Sequence, residues 1–429
     1  MQTHISKPAK AVRGEIVVPG DKSISHRSIM FGSIARGVTT VKGFLRGEDN
    51  LATLNAFRSM GIVVEDDGEI LKIQGKGLRG LTEPSDVIDC GNSGTSMRLM
   101  TGLLAGQQFF SVLTGDQYLR KRPMKRVLEP LSRMGAAIYG RAGGDKAPLA
   151  IVGTGLTGIA YQSPVSSAQV KSAILLAGLY ANGETVVTEP HLSRDHSERI
   201  LRYFGADIET FSGGTKIRGG RELDGREIIV PGDISSAAFF MVAALIVPGS
   251  ELLIRGVGVN PTRTGIIDIL KAMGGDITLQ NCRENSGEPV ADILVRSSRL
   301  KGIEIGGDLV PRAIDEFPVI CVAAAVAEGK TVVRDAKELR VKETDRIKAM
   351  AVSLQKAGVN VVETENGMEV TGTEKLQGCT IDSFGDHRIA MSMLIAGLAA
   401  TGEISVNDTE CIATSFPNFT TLLHEVAVQ

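Results

Sequence analysis

The chain repeats itself six times, and that repetition limits what it can fold into more than any other feature. A unit of roughly 70 residues recurs as a short strand, a polar turn, an apolar helix, a Gly-centred turn, a strand and a second helix. The mid-repeat turn reads ARGVTTV (Gly37), LAGQQFF (Gly106), ANGETVV (Gly183), VPGSELLI (Gly249), AEGKTVV (Gly329) and ATGEISV (Gly402). A closing phrase ends the first five repeats: SMGIVV (Gly61), RMGAAI (Gly135), YFGADI (Gly205), AMGGDI (Gly274) and KAGVNV (Gly358). A unit this short cannot bury its own apolar face, so several must pack around shared axes. Residues common to all six repeats are expected to be structural. Residues that break the pattern in one repeat are candidates for chemistry.

The first helix of each repeat is apolar nearly all round, as in ISHRSIMFGSIA and SAAFFMVAALIV, and belongs in a domain interior. The second is amphipathic, as in DRIKAMAVSLQKAG, and belongs outside. The phrase Val-Pro-Gly-Asp occurs at 18–21 and again at 230–233, with three repeats between and three after. A chain of 429 residues also exceeds one ordinary core. The expectation is therefore an α/β protein of α+β repeats with two similar domains, each built from three βαβ-type units with buried helices and outer sheets. The boundaries fall at 20–231 for one domain and at 1–19 with 232–429 for the other. The initial strand up to Pro19 is able to pair with either, and a ligand cleft between the domains is the default expectation.

A formal net charge of -2 argues against nucleic acid as the main partner. The first residues, MQTHISKPAKAVRG, hold no apolar signal region, and no stretch reaches the length of a membrane span, so a cytoplasmic, membrane-free protein and a monomer are expected. Five scattered Cys lack metal-ligand spacing, and there is no H-E-x-x-H pattern, P-loop or Rossmann fingerprint. No metal and no cofactor are expected.

Each buried helix starts with Ser, Thr, Asn or Asp: Ser23 and Ser25, Asn92 to Ser96, Ser166 and Ser167, Ser235 and Ser236, Asp315, Asp386. N-capping accounts for most of them. It does not account for the cations beside them. Lys22, Arg27, Arg98, Lys171 and Arg388 sit in first turns, where the helix dipole disfavours positive charge. Helix starts bind anions through free N–H groups, so cations there imply a small substrate, or a pair, carrying phosphate and carboxylate. A charged heptad, Arg340 to Arg346, puts Lys342 and Arg346 on one face if helical, with Glu343 at i,i+3 to Arg346. A solvated salt-bridge ladder is the plainer reading of such a heptad. Further cations stand at Arg120 to Arg126, and Ser193-Arg194-Asp195-His196-Ser197-Glu198 opens an outer helix. Carboxylates fit for proton transfer are scarce: Asp315, Glu316 and Glu343, all in the fifth repeat. His387 beside Arg388 is an acid, a donor or a cap.

These motifs, taken in order, resemble the 5-enolpyruvylshikimate-3-phosphate synthase family across essentially the whole length. The carriers are Gly20-Asp21-Lys22-Ser23 with Ser25 and Arg27; Gly91-Asn92-Ser93-Gly94-Thr95 with Arg98; Arg122-Pro123-Met124; and Ser167-Ala168-Gln169-Val170-Lys171. Arg194 to Glu198, Asn260-Pro261-Thr262-Arg263, Asp315-Glu316, Lys342 to Arg346 and Gly385 to Arg388 complete the set. The S-A-Q-x-K form is similar to the class II branch, often described as glyphosate-tolerant. Two positions depart from expectation: Gly94 stands where some tolerant members carry Ala, and Thr414 where class I members place a Lys.

The resemblance implies the enolpyruvyl transferase fold and transfer of the enolpyruvyl group of phosphoenolpyruvate to the 5-hydroxyl of shikimate 3-phosphate, with release of phosphate. That is a transferase step of the shikimate pathway, in chorismate and aromatic amino acid biosynthesis. It implies that Lys22, Ser23, Arg27, Ser167, Ala168, Gln169, Arg194, Asp315 and Lys342 hold shikimate 3-phosphate. Lys22, Asn92, Gly94, Arg122, Gln169, Arg346, His387 and Arg388 would hold phosphoenolpyruvate. Asp315 is the expected base at the 5-hydroxyl, Glu343 the expected proton carrier at the methylene carbon, and Lys22 a third catalytic group. The nearest rival is UDP-N-acetylglucosamine enolpyruvyl transferase. Its reactive Cys has no counterpart near Arg120 to Pro123, and its Ala-Lys-Asn form is Asp-Lys-Ser here. A non-catalytic repeat protein that binds phosphorylated partners is the other alternative.

Overall fold

A computed structural model describes residues 2–429. Its contacts separate two compact units: residues 20–230 with 284–288, and residues 2–19 with 231–283 and 289–429. The sheets repeat one plan. In the second repeat the order is Ile88–Asp89, Phe110–Thr114, Lys146–Val152, Ala137–Arg141. The first pair runs parallel, with Ile88 opposite Leu113, and the other pairs run antiparallel. The same order recurs in the third repeat (Ala160–Gln162, Glu184–Thr188, Gly214–Arg218, Asp207–Phe211) and in the fifth (Glu304–Ile305, Lys330–Val333, Gly367–Thr371, Asn360–Thr364). A parallel pair requires a crossover, and in each repeat the buried helix supplies it.

The remaining sheets are completed by distant segments. Leu223–Asp224 and Glu227–Ile229 lie parallel to Ala35–Lys42 and serve the first repeat. The initial segment forms two strands where the sequence suggests one. Ala11–Val17 pairs parallel with Glu251–Gly258, and Thr3–Ser6 pairs antiparallel with Ile404–Asn407. Both serve the second unit.

The buried helices are Lys22–Ile34, Gly94–Ala105, Ala168–Gly178, Ile234–Ile246, Phe317–Ala325 and His387–Leu398. Every side chain of Ile234–Ile246 except Ile246 is buried, and Phe239, Phe240, Phe416 and Phe419 stack there with ring centroids 5.3–5.9 Å apart. In the first unit the second and third buried helices meet so closely that a Cβ on Gly102 would lie 2.0 Å from the Ala173 carbonyl oxygen. The closing glycines, Gly61, Gly135, Gly205, Gly274 and Gly358, all take φ between 82° and 96°. That conformation ends a helix at little cost only for glycine, so the repeated phrase marks the point where each outer helix stops.

The caps differ in part from the sequence reading. Ser93 and Ser167 cap their helices as expected. Asp21 and Asp233, not Ser23, Ser25, Ser235 or Ser236, cap theirs, accepting from the N–H of Ile24 and of Ser235. An N-cap residue keeps extended backbone just before the first helical residue, which places the cap upstream of those serines. The Phe317–Ala325 helix has no side-chain cap.

Candidate active site

In the first unit, the start of the Lys22–Ile34 helix gathers charge. Lys22 Nζ lies 2.5 Å from Asp49 Oδ2, and Asn50 Nδ2 donates to the Lys22 carbonyl at 3.0 Å. Arg27 is buried and each of its three nitrogens has a partner: Nε donates to Ser197 Oγ (2.7 Å), Nη1 to the Ser23 carbonyl (3.0 Å) and Nη2 to Ser172 Oγ (2.9 Å), which leaves two of its five N–H groups for other acceptors. Burial, with the nearby charge of Arg194 adding to it, pushes the Arg27 pKa down to about 10, so it stays cationic at neutral pH. His26 behind it is kept neutral by burial and by Lys22 and Arg27, its pKa well below the usual value. Its Nδ1 lies 2.8 Å from Thr53 Oγ1, which contacts Ser96 Oγ at 2.5 Å.

The start of the Gly94–Ala105 helix is flanked by two guanidinium groups. Arg98 Nη1 donates to Gln169 Oε1 at 2.6 Å, and Gln169 Nε2 donates to Thr95 Oγ1 at 3.0 Å. Arg122 Nη2 donates to Asn92 Oδ1 (3.2 Å), while Asn92 Nδ2 donates to Asp116 Oδ2 (2.6 Å). A Cβ on Gly94 would fall 2.8 Å from Arg122 Nη1 and 2.9 Å from Arg98 Nη1. The absent side chain at Gly94 is therefore what lets both guanidiniums stand against the helix start, a ready anion site. Of the run Arg120 to Arg126, Arg122 joins these groups through Asn92 and the Pro123 carbonyl accepts from Arg98 Nη2 at 3.3 Å, while Lys121 is exposed and offers its carbonyl to Lys146.

Lys171 corrects the sequence reading. It is no ligand cation, because Glu189 (3.0 Å) and Glu198 (2.8 Å) enclose its ammonium, and their charges outweigh desolvation to raise its pKa. Ser167, Ala168 and Gln169 at the same helix start are half-buried, as is Arg194. His196 Nδ1 meets Glu288 Oε1 at 2.8 Å within this unit. Nothing in the sequence spacing points to Glu189, Asp49 or Asp116 as partners of these cations.

In the second unit, the charged heptad is not one helical face. Lys337–Val341 is a 3-10 turn, Lys342 is extended, and the helix begins only at Arg346 with Asp345 as its cap. Asp345 Oδ1 accepts the N–H of Lys348 at 3.1 Å, and that bond favours a helix start over a continuous helix. The expected meeting of Glu343 with Arg346 nonetheless occurs, at 2.6 Å. Arg346 is 2% exposed and touches three carboxylates: Glu343 Oε2, Asp386 Oδ2 (2.7 Å) and Asp315 Oδ1 (3.3 Å). These charges raise its pKa, against burial. Lys342 Nζ lies 3.5 Å from Asp315 Oδ1, and desolvation lowers its pKa. Arg388 Nη1 donates to the Asp315 carbonyl at 3.1 Å, and its N–H to Asp386 Oδ1 at 2.8 Å. His387 Nδ1 lies 3.3 Å from Thr414 Oγ1.

The buried helix of the fourth repeat, which has no cation in its first turn, receives Arg263 from another element. Arg263 Nη2 donates to Ser235 Oγ at 2.7 Å and to Asp233 Oδ1 at 3.3 Å, and lies 3.6 Å from Glu316 Oε1. Burial pushes the Cys90 thiol up, so it is no ready nucleophile. Among the described residues no group of three His, Cys, Asp or Glu is placed to hold a metal ion, and no helix is long and apolar enough to cross a membrane.

Helix starts flanked by cations, and three carboxylates gathered on one guanidinium, are the features of a site for small anions with proton-carrying groups at hand. The sequence pattern of EPSP synthase (3-phosphoshikimate 1-carboxyvinyltransferase) matches residues 6–423. A 3-phosphoshikimate 1-carboxyvinyltransferase of Geotalea daltonii is 87% identical over 428 residues, covering 100% of both chains. An EPSP synthase structure from Acinetobacter baumannii shares 51% identity at a TM-score of 0.89, covering 100% of this chain and 98% of that one. The enolpyruvyl transferase NikO from Streptomyces tendae, at 17% identity and a TM-score of 0.80, covers 99% of this chain and 97% of its own and shares the fold. The chain belongs to the EPSP synthase family.

Proposed function

We propose that this protein is a 3-phosphoshikimate 1-carboxyvinyltransferase, moving the enolpyruvyl group of phosphoenolpyruvate onto the 5-hydroxyl of shikimate 3-phosphate and releasing phosphate. The observation that carries the reading is Arg346, which holds Asp315 and Glu343 on one guanidinium with Lys342 beside Asp315. Two carboxylates so placed suit a reaction with two proton transfers. Asp315 takes the proton of the 5-hydroxyl as its oxygen attacks C2 of phosphoenolpyruvate, and Glu343 delivers a proton to the methylene carbon. The tetrahedral ketal phosphate then expels phosphate as a proton leaves the new methyl group, restoring the double bond.

Lys22, Ser23, Arg27, Ser167, Ala168, Gln169, Arg194, Asp315 and Lys342 hold shikimate 3-phosphate in this reading. Lys22, Asn92, Gly94, Arg122, Gln169, Arg346, His387 and Arg388 hold phosphoenolpyruvate. The neighbouring cations then act as fixed electrostatic partners for charge developing on phosphate and carboxylate. Purified protein should release phosphate only when phosphoenolpyruvate and shikimate 3-phosphate are supplied together. Turnover with UDP-N-acetylglucosamine in place of the shikimate ester would refute the assignment.

A further inference from the structure

We infer that Glu189, working with Lys171, is a positioning residue for the shikimate ester, fixing Ser167 and Arg194 in one frame. The inference rests on the reading above. Three buried charges, Lys171, Glu189 and Glu198 (side chains 2%, 4% and 1% exposed), lie beneath the helix start at Ser167 and the loop that carries Arg194. The proposed chemistry uses none of them.

Glu189 does more than balance Lys171. Its Oε1 accepts the backbone N–H of Ser167 at 3.1 Å, and its two oxygens accept the hydroxyl of Ser193 at 2.7 and 2.8 Å. The Ser193 N–H reaches Oε2 at 3.3 Å. Lys171 Nζ donates to the Ser193 carbonyl, also at 3.3 Å. Ser193 is thus held at its nitrogen, its hydroxyl and its carbonyl, and the peptide that leads into Arg194 has a fixed plane. The same carboxylate fixes the Ser166–Ser167 peptide, which leads into Ser167 at the helix start. A charged acceptor of several N–H and O–H donors is strong and costly to disturb, and Lys171 offsets the cost of burying it. The acceptor-holding groups on the helix and on the loop therefore move together or not at all.

The test is Glu189→Gln, which keeps the shape and one acceptor oxygen but turns two donor hydrogens toward Lys171 and Ser193. The KM for shikimate 3-phosphate should rise ~10- to ~100-fold, as expected for groups misplaced by a fraction of an ångström, while that for phosphoenolpyruvate changes by less than ~3-fold. Ser193→Ala, which removes one contact and leaves the Lys171–Glu189 pair intact, should move the same constant in the same direction by a smaller factor. It keeps the question open to measurement if the first variant does not fold. Unchanged KM for the shikimate ester in either folded variant, or an equal rise for both substrates, would overturn the inference. Wild-type protein run alongside separates the two claims. Absent turnover there defeats the catalytic reading, and calorimetric titration of shikimate 3-phosphate into both proteins still decides the positioning.

Discussion

Replacing Gly94 by Ala should weaken phosphoenolpyruvate and spare shikimate 3-phosphate. A Cβ at that position would stand 2.8 Å from Arg122 Nη1 and 2.9 Å from Arg98 Nη1, whereas ordinary contact begins near ~3.5 Å. Each guanidinium must withdraw by roughly 0.6 Å to reach that separation. At an effective dielectric of ~20, a charge pair at ~4 Å is worth about 4 kcal/mol, and at ~4.6 Å about 3.6 kcal/mol. Two such retreats cost about 1 kcal/mol together, and losing one charge-assisted hydrogen bond raises the total to about 3 kcal/mol. The KM for phosphoenolpyruvate should rise by ~5- to ~150-fold. Steady-state phosphate release, with each substrate varied at saturating levels of the other, reads this directly. The backbone at Gly94 takes no positive φ, so the helix tolerates Ala and the melting temperature should hold or rise slightly. An unchanged KM for phosphoenolpyruvate, or an equal change for both substrates, would refute the reasoning.

Asp315→Asn and Glu343→Gln should each lower turnover by ~10²- to ~10⁴-fold while calorimetry still detects shikimate 3-phosphate binding; near-normal turnover would remove their proton-transfer roles. A pH effect on stability should trace to His26. Its folded pKa lies well below 6.5, so the unfolded chain takes up a proton near pH 6.5 that the folded chain refuses. Its contribution is present above that pH and is lost below it at about 1.4 kcal/mol per pH unit. Urea unfolding at pH 7.5 and 5.5 should show this loss in the wild type and a smaller one in His26→Gln. An equal loss in both would assign it to other groups.

Much of this protein is legible in its sequence because the repeat writes local rules into every copy. The closing glycines stand out because each must take a positive φ, and the buried helices stand out because they carry almost no polar face. Serines and cations at helix starts were readable for the same reason. What stayed hidden was pairing across distance. Lys171 looks like a cation awaiting an anion because its partners, Glu189 and Glu198, lie on other elements. The heptad around Lys342 suggests a continuous helix because i,i+4 spacing says nothing about the Asp345 cap that starts the helix at Arg346. Arg263 reaches the fourth repeat from beyond its buried helix, where no spacing rule would look for it.

The strands that complete their sheets from far along the chain also impose an order of events on synthesis. The unit holding residues 20–230 has its last sheet strand, Glu227–Ile229, as soon as that stretch leaves the ribosome. Ala11–Val17 is made before any of it, yet its neighbour carrying Arg255, the partner of Glu15, follows 240 residues later. Thr3–Ser6 waits longer still, for Ile404–Asn407. A nascent chain therefore carries two unpaired strands through most of its translation. Charge at Lys7, Lys10, Arg13 and Glu15 guards the segment during that interval, since charged side chains discourage stray edge-to-edge pairing.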